Sequence, residues 1–217
     1  MAGWSAENAT KAFLRALKMG KVGKEPDVGE FISAIAAGNN AQLMVMVCAG
    51  IAGSTTALAL VAAAHQTGGR VVCILPRPDG LQASKIALGN YSNSVEFVTG
   101  EAKTLLLDDY KEADFVLIDC NIDHPKEVFQ AAKKSSELDG GLVVGYNALH
   151  RESNWQSDHE LKAHFLPIGE GLLVTRTCKR HGGGGNRRGH WVVKIDKCTG
   201  EEHVFRIRDP QRKWIEA

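Results

Sequence analysis

Continuous apolar runs alternate with helical patterns along most of the chain. The runs are rich in valine and lack a period-two pattern, which is typical of strands buried on both faces of a parallel sheet. They cover residues 43–48, 70–75, 95–98, 114–119 and 141–146. Helical patterns fall between these runs, and two more, at 5–19 and 27–37, precede the first run. This alternation predicts a doubly wound α/β domain with a mainly parallel sheet, in which residues 43–48 form an interior strand.

The pattern changes near the C-terminus, where apolar and polar residues alternate. Residues 162–177 are predicted to form an antiparallel hairpin at one edge of the sheet, and a second hairpin follows residue 190. A basic, glycine-rich loop over 179–189 separates them, and its four consecutive glycines predict flexibility because ordering them costs backbone entropy. We therefore expect a domain over 1–178, this loop, and an extension over 190–217 that packs on the same domain.

Composition and charge narrow the class of protein. The 217 residues fit one domain, and no apolar run is long enough to span a membrane. The start of the chain lacks a signal-peptide pattern, which predicts a cytoplasmic location with the nucleus as the alternative. Five cysteines without a CxxC motif favour neither a disulfide framework nor a zinc site. The net charge of +1 provides no broad footprint for nucleic acid.

The turn after the first strand, residues 49–55, is the first candidate site. Its small residues would let the backbone approach a ligand at the N-terminus of the next helix, although close strand–helix packing explains them equally well. The second strand ends at Leu75, where a nucleotide site would carry an acidic residue for the ribose hydroxyls. Arg77 is interpreted as a surface residue and Asp79 as the N-cap of the next helix.

Two polar residues follow neighbouring strands. Asp119 ends the fourth strand, where an unpaired buried carboxylate would be costly, and this favours a site residue over the alternative, a structural cap on the following loop. Asn147 follows the fifth strand and is expected to lie near Asp119. One carboxylate and one amide make a poor Mg²⁺ site, so no metal is predicted. The histidines share no motif and are interpreted as surface or loop residues; they include His124, His150, His159 and His164.

Six segments in one order resemble the caffeoyl-CoA and catechol type O-methyltransferases. The match spans roughly residues 25–177, and its collinearity is more specific than any single motif. The segments are 25–31, 49–55, 99–102, 114–119, 140–147 and 166–174. The sequence looks closer still to a plant family of uncharacterised methyltransferase-like proteins with a domain-of-unknown-function label. The resemblance implies the Rossmann-like fold of S-adenosylmethionine-dependent methyltransferases.

The resemblance also implies a cofactor pocket. Gly53 and Thr55 match a glycine and a serine of the family, Ala102 matches an alanine beside the adenine, and Asp119 matches the first metal-binding aspartate. The implied cofactor-binding positions are Ala49, Gly53, Thr55, Leu75, Glu101, Ala102 and Asp119.

Three departures weaken that pocket. Val47 and Ala49 replace a glutamate and a glycine of the family, and Leu75 falls at the ribose-binding acid. The second metal aspartate falls at Tyr146, whereas its neighbouring asparagine is retained as Asn147. We expect weak or absent S-adenosylmethionine binding and no metal, with Asp119 and Asn147 as a remnant of the metal site.

Three functions follow from these observations. The first is a divergent methyltransferase-like protein that lacks metal-dependent catalysis and acts as a binding or regulatory module. The second is an active, metal-independent methyltransferase. The third is a nucleic-acid-binding protein that uses the basic loop, ranked last because of the net charge. The expected partner is a small molecule or a protein, with no membrane; the oligomeric state stays open, with a dimer as one option.

Overall fold

The computed structural model describes residues 4–20, 27–136, 141–149 and 163–177, and the strand backbones of 190–195 and 202–207. Its helices are α1 (Ala6–Met19), α2 (Val28–Gly38), α3 (Ser54–Thr67), α4 (Gly80–Leu88), α5 (Ala102–Leu107) and α6 (Pro125–Ser136). Its strands are β1 (Leu43–Val47), β2 (Arg70–Leu75), β3 (Val95–Thr99), β4 (Phe115–Asp119), β5 (Leu142–Tyr146), β6 (His164–Leu166), β7 (Leu172–Arg176), β8 (His190–Ile195) and β9 (Glu202–Ile207). The chain divides into two compact units, 1–180 and 181–217.

The first unit contains a seven-stranded sheet in the order β3-β2-β1-β4-β5-β7-β6. The first five strands in this order are parallel, whereas β7 is antiparallel to β5 and β6 is antiparallel to β7. The predicted doubly wound sheet, the interior position of β1 and the edge hairpin are therefore confirmed. Strand order reverses between β1 and β4, which is where such sheets bind ligands beyond their carboxyl ends.

Helices cover both faces of this sheet. Alternate residues of β1 separate into two core layers: Met44 and Met46 face the layer that holds α1 to α4, whereas Val45 and Val47 face the layer that holds α5 and α6. Both layers consist mainly of buried apolar side chains, which explains why the strands are apolar without alternation. The three cysteines at 48, 73 and 120 are buried, as the sequence predicted. No helix in the described part of the chain is long and apolar enough to span a membrane.

Local signals account for the helix ends. Asp27 and Glu30 form a capping box at the start of α2, and Gly68 ends α3 with φ of 73°. Asp79 precedes α4, but its side chain makes no cap hydrogen bond; its carboxylate lies 3.6 Å from the Arg77 Nε instead. Asp79 is therefore the N-cap residue of α4, as predicted, but it caps the helix without a side-chain hydrogen bond, and Arg77 is exposed as expected.

The second unit contains an antiparallel pair, β8 and β9, as the sequence predicted. The packing of this hairpin on the first unit stays a prediction. The basic loop 179–189 lies outside the described residues, and so do His150 and His159.

Candidate functional site

A pocket of about 450 Å³ opens at the carboxyl ends of β1, β2 and β3, within the volume range of small-molecule sites. It lies beside the strand-order reversal and is closed by the first turns of α5 and α6. Small or apolar residues form most of its wall, and charged side chains form one side. The lining residues are Val47, Cys48, Ala49, Ile74, Pro76, Gly100, Glu101, Ala102, Lys103, Ile122, Asp123, His124, Glu127 and Val128.

The structure separates the residues that the sequence grouped as cofactor-binding. Ala49, Glu101 and Ala102 line this pocket together. Thr55 lines a different cavity, between α1, α2 and α3. Gly53 is exposed at the N-cap of α3 and lines neither of these spaces.

Leu75 does not line the pocket either. Its side chain is fully buried in the core layer of α1 to α4. Successive residues of a strand point to opposite faces, so the neighbours Ile74 and Pro76 reach the pocket instead. This corrects the expectation that Leu75 would face the ribose of a bound cofactor. The strand's pleat directs the Leu75 side chain into the core.

The glycine-bearing turn after β1 is held by α4. The Ala52 amide donates to Ser84 Oγ at 2.9 Å, and Ser84 Oγ donates to the Gly80 carbonyl at 2.7 Å. A Cβ at Gly80 would lie 2.0 Å from the Gly50 carbonyl oxygen, so only glycine fits there. This contact positions the pocket wall that contains Ala49.

Asp119 forms a second group with Asn147, as predicted. Asp119 Oδ1 accepts from the Asn147 side-chain amide at 2.9 Å and from the Asn121 backbone N–H at 3.0 Å. Asn147 adopts a left-handed conformation, with φ of 59°, which asparagine tolerates better than most residues. Asp119 is only 9% exposed, and these two donors offset the cost of burying its carboxylate.

Tyr146 completes this group on the next strand. It pairs in register with Asp119, and its phenol interacts with the Asp119 carboxylate and with Thr56, whose own hydroxyl donates to the Gly53 carbonyl at 3.2 Å. Burial, followed by the negative charge of Asp119, raises the pKa of Tyr146 well above its usual value. The phenol therefore stays neutral. Thr56 was missed from the sequence, although it is the neighbour of the predicted Thr55.

Cys48 lies at the pocket beside this group. A hydrogen bond with Cys73, followed by burial, raises the pKa of the Cys48 thiol far above its usual value. A nucleophilic cysteine needs a lowered thiol pKa. Cys48 is 1% exposed and belongs to the core layer of α1 to α4, so we interpret it as a packing residue.

The charged side of the pocket comes from α5, α6 and the loop before α6. Glu101 accepts from the Thr104 backbone N–H at 3.1 Å, and its hydrogen bond with the Thr104 hydroxyl lowers the pKa of this carboxyl. Lys103 forms an ion pair with Glu127 at 3.1 Å, and His124 Nδ1 lies 3.9 Å from Glu127. His124 is exposed, as predicted, but it lines the pocket, and its φ of 51° is uncommon for histidine.

A family model described as "Protein of unknown function (DUF1442)" matches residues 2–207. The chain belongs to the DUF1442 family. No curated protein matches its sequence. The plant origin that the resemblance implied stays a prediction.

Solved structures establish the fold of this DUF1442 protein. A methyltransferase from Geobacter sulfurreducens is 20% identical, with a TM-score of 0.54 over 80% of this chain and 91% of the other. A protein assigned as a caffeoyl-CoA O-methyltransferase from Staphylococcus aureus is 15% identical, with a TM-score of 0.55 over 80% and 93%. An O-methyltransferase from Bacillus cereus, solved with SAH, is 15% identical, with a TM-score of 0.53 over 80% and 91%. The fold is that of the Rossmann-like S-adenosylmethionine-dependent methyltransferases.

The residues around Asp119 do not fit a divalent ion. Within the described ranges, no group of three His, Cys, Asp or Glu side chains is arranged to hold a metal. Tyr146 stands at the position where the resemblance implied a second carboxylate, and Asp119 Oδ1 already accepts two hydrogen bonds. Hard cations require several oxygen ligands, which this group lacks.

Proposed function

We propose that this DUF1442 protein is a binding module of the methyltransferase fold, which holds an adenosyl ligand weakly and does not carry out metal-dependent methyl transfer. The observation that carries this proposal is the pairing of Tyr146 with Asp119. A neutral phenol occupies the place of a metal-binding carboxylate and faces the remaining one.

The pocket supports an adenosyl ligand by its position and its lining. It lies at the carboxyl ends of the strands, and Ala49, Gly100 and Ala102 leave room for a flat ring. The Bacillus cereus neighbour was solved with SAH. S-adenosylmethionine and SAH are therefore the first ligands to test.

Weak affinity follows from what the pocket lacks. A ribose presents two hydroxyls, and a site normally meets them with an acidic residue at the end of the second strand. Leu75 is buried, and Pro76 has neither a side-chain acceptor nor a backbone donor. Glu101 is at the pocket, but it stands at the start of α5 and not at the end of β2, and its Oε2 accepts from Thr104. We therefore expect a Kd above about 100 µM for S-adenosylmethionine.

Calorimetric titration with S-adenosylmethionine and SAH tests the ligand. Ala102→Phe should fill the pocket and abolish binding, whereas Ala83→Phe, on the exposed side of α4, should leave it unchanged. Loss of binding in both variants, or in neither, would place the ligand elsewhere. A low-micromolar Kd that Asp119→Ala abolishes would contradict the weak, non-catalytic site.

Catalysis needs a separate assay. The transfer of a labelled methyl group to catechol is followed with Mg²⁺ and with EDTA, and we expect no turnover in either condition. Mg²⁺-dependent turnover would overturn the proposal. Turnover that persists in EDTA would also overturn it, in favour of a metal-independent enzyme.

A further inference from the structure

A second cavity, of about 430 Å³, lies where the last turn of α1 meets the first turns of α2 and α3. It shares no lining residue with the pocket at the carboxyl ends of the strands. Its wall is apolar apart from two hydroxyl residues, Ser54 and Thr55, and one carboxylate, Glu30. Glu30 is the one ionisable side chain among the described residues that line it.

Tight helix packing places Glu30 in this interior position. A Cβ at Gly29 would lie 2.8 Å from Thr55 Cγ2, so the first turn of α2 is pressed against the first turn of α3. Glu30 follows Gly29 and is 8% exposed as a result. A capping-box glutamate normally lies at the protein surface, where its side chain accepts from a free backbone N–H at the start of the helix. Glutamate is almost never buried without a partner, so the burial of Glu30 is unusual.

Among the residues that the structure describes, only one of the two Glu30 carboxylate oxygens has a protein partner. Glu30 Oε2 accepts from the Asp27 backbone N–H at 2.7 Å. Oε1 accepts no hydrogen bond from the residues that the structure describes. A Cβ at Gly20 would lie 4.0 Å from Oε1, and Gly20 lines the same cavity, so Oε1 faces the open space. A buried carboxylate oxygen without a donor costs free energy, which a donating ligand would recover.

We propose that this cavity binds a primary amine that carries an apolar body. The ammonium group donates to Glu30 Oε1, within reach of the hydroxyls of Ser54 and Thr55 at the same wall. The apolar body lies against Met19, Leu58 and Ala87. A carboxylate or phosphate ligand is disfavoured because its negative charge would be repelled by Glu30 at short range. A metal ion is disfavoured because the described lining residues offer it a single carboxylate. This inference is independent of the proposed adenosyl ligand, because the two spaces share no residue.

The test titrates 2-phenylethylamine into the full chain and uses 2-phenylethanol as the neutral ligand of matching shape. We expect saturable binding of the amine, and binding of the alcohol that is at least about tenfold weaker. Glu30→Gln keeps the capping box, because glutamine serves at this position too, but it removes the charge. This variant should bind the amine about tenfold or more weakly than the wild type, and its affinity for the alcohol should be unchanged.

Glu7→Gln is the matched control, because it removes the same charge from an exposed site on α1. It should leave amine affinity unchanged, and circular-dichroism melting should confirm that both variants are folded. Three results would each overturn the proposal: no saturable amine binding to the wild type, equal affinity of wild type for amine and alcohol, or equal amine affinity in Glu30→Gln and wild type.

Discussion

Asp119 and Tyr146 stand opposite each other at the carboxyl ends of β4 and β5, and the tyrosine phenol interacts with the aspartate carboxylate. Side chains paired in register on adjacent strands point to the same face of the sheet. A carboxylate at 146 would therefore stand beside Asp119, which is the arrangement of a metal-binding pair. In the wild type a neutral phenol stands at this position instead, so Asp119 faces no second carboxylate across the strand pair.

Tyr146→Asp should create a divalent-metal site. Two carboxylates and the Asn147 amide would then converge, and we expect Ca²⁺ to bind with a Kd of about 1 mM. Without metal the variant should be less stable, by about 3 kcal/mol, because a buried ring is lost and two like charges meet. Thermal melting with and without Ca²⁺ measures both effects.

Two proteins serve as controls for that site. One is the wild type, and the other is the double variant that combines Tyr146→Asp with Asp119→Asn. Neither should show a Ca²⁺-dependent rise in melting temperature. Equal Ca²⁺ binding by the wild type would show that the phenol does not replace the metal.

The raised pKa of Tyr146 predicts sensitivity to alkaline pH. Below about pH 10 the phenol is neutral in both the folded and the unfolded states, and its contribution to stability is fully present. Above about pH 10 the unfolded tyrosine ionises while the folded one stays protonated, so the free energy of unfolding falls by up to about 1.4 kcal/mol per pH unit.

Urea unfolding of the wild type and Tyr146→Phe between pH 8 and 11 measures this loss. Stability of the variant should fall less steeply above pH 10, because the titrating group is absent. Cys48 and Tyr110, whose pKa values are also raised, remain in both proteins and cancel in the comparison. Parallel curves would mean that Tyr146 ionises alike in the folded and unfolded chains.

Thr56→Val should lower the free energy of unfolding by about 1 kcal/mol, because valine keeps the shape but removes a buried hydroxyl that donates to the Gly53 carbonyl and interacts with the Tyr146 phenol. Thr55→Val is the matched neighbour; its side chain is exposed, and the expected change is below about 0.5 kcal/mol. Chemical denaturation compares the two. Equal losses would indicate a general effect of valine at the start of α3.

Gly80→Ala should destabilise the fold by about 2 kcal/mol, because a Cβ there would lie 2.0 Å from the Gly50 carbonyl oxygen. It should also displace the turn that carries Ala49. Gly50→Ala, on the other side of the same contact, has no atom within 4 Å of the added Cβ and should change stability by less than about 0.5 kcal/mol. Thermal melting that shows the reverse order would contradict this account of the turn.

The sequence alone determined the sheet, the helices that cover it and the interior position of β1. These follow from local patterns: a strand that reads Leu-Met-Val-Met-Val without a polar position must be covered on both faces. The proximity of Asp119 and Asn147 also followed, because parallel strands bring their carboxyl ends to one edge.

Only the tertiary structure decided which of those edge residues meet. The pleat of β2 directs Leu75 into the core and leaves Pro76 at the pocket, and a one-residue difference of this kind depends on how the strand is seated against its neighbours. Burial of the Glu30 carboxylate likewise depends on the close contact of Gly29 with Thr55, which are distant in sequence. Composition and spacing identify which residues lie at the ends of helices and strands. Packing between those elements determines the direction in which each side chain points.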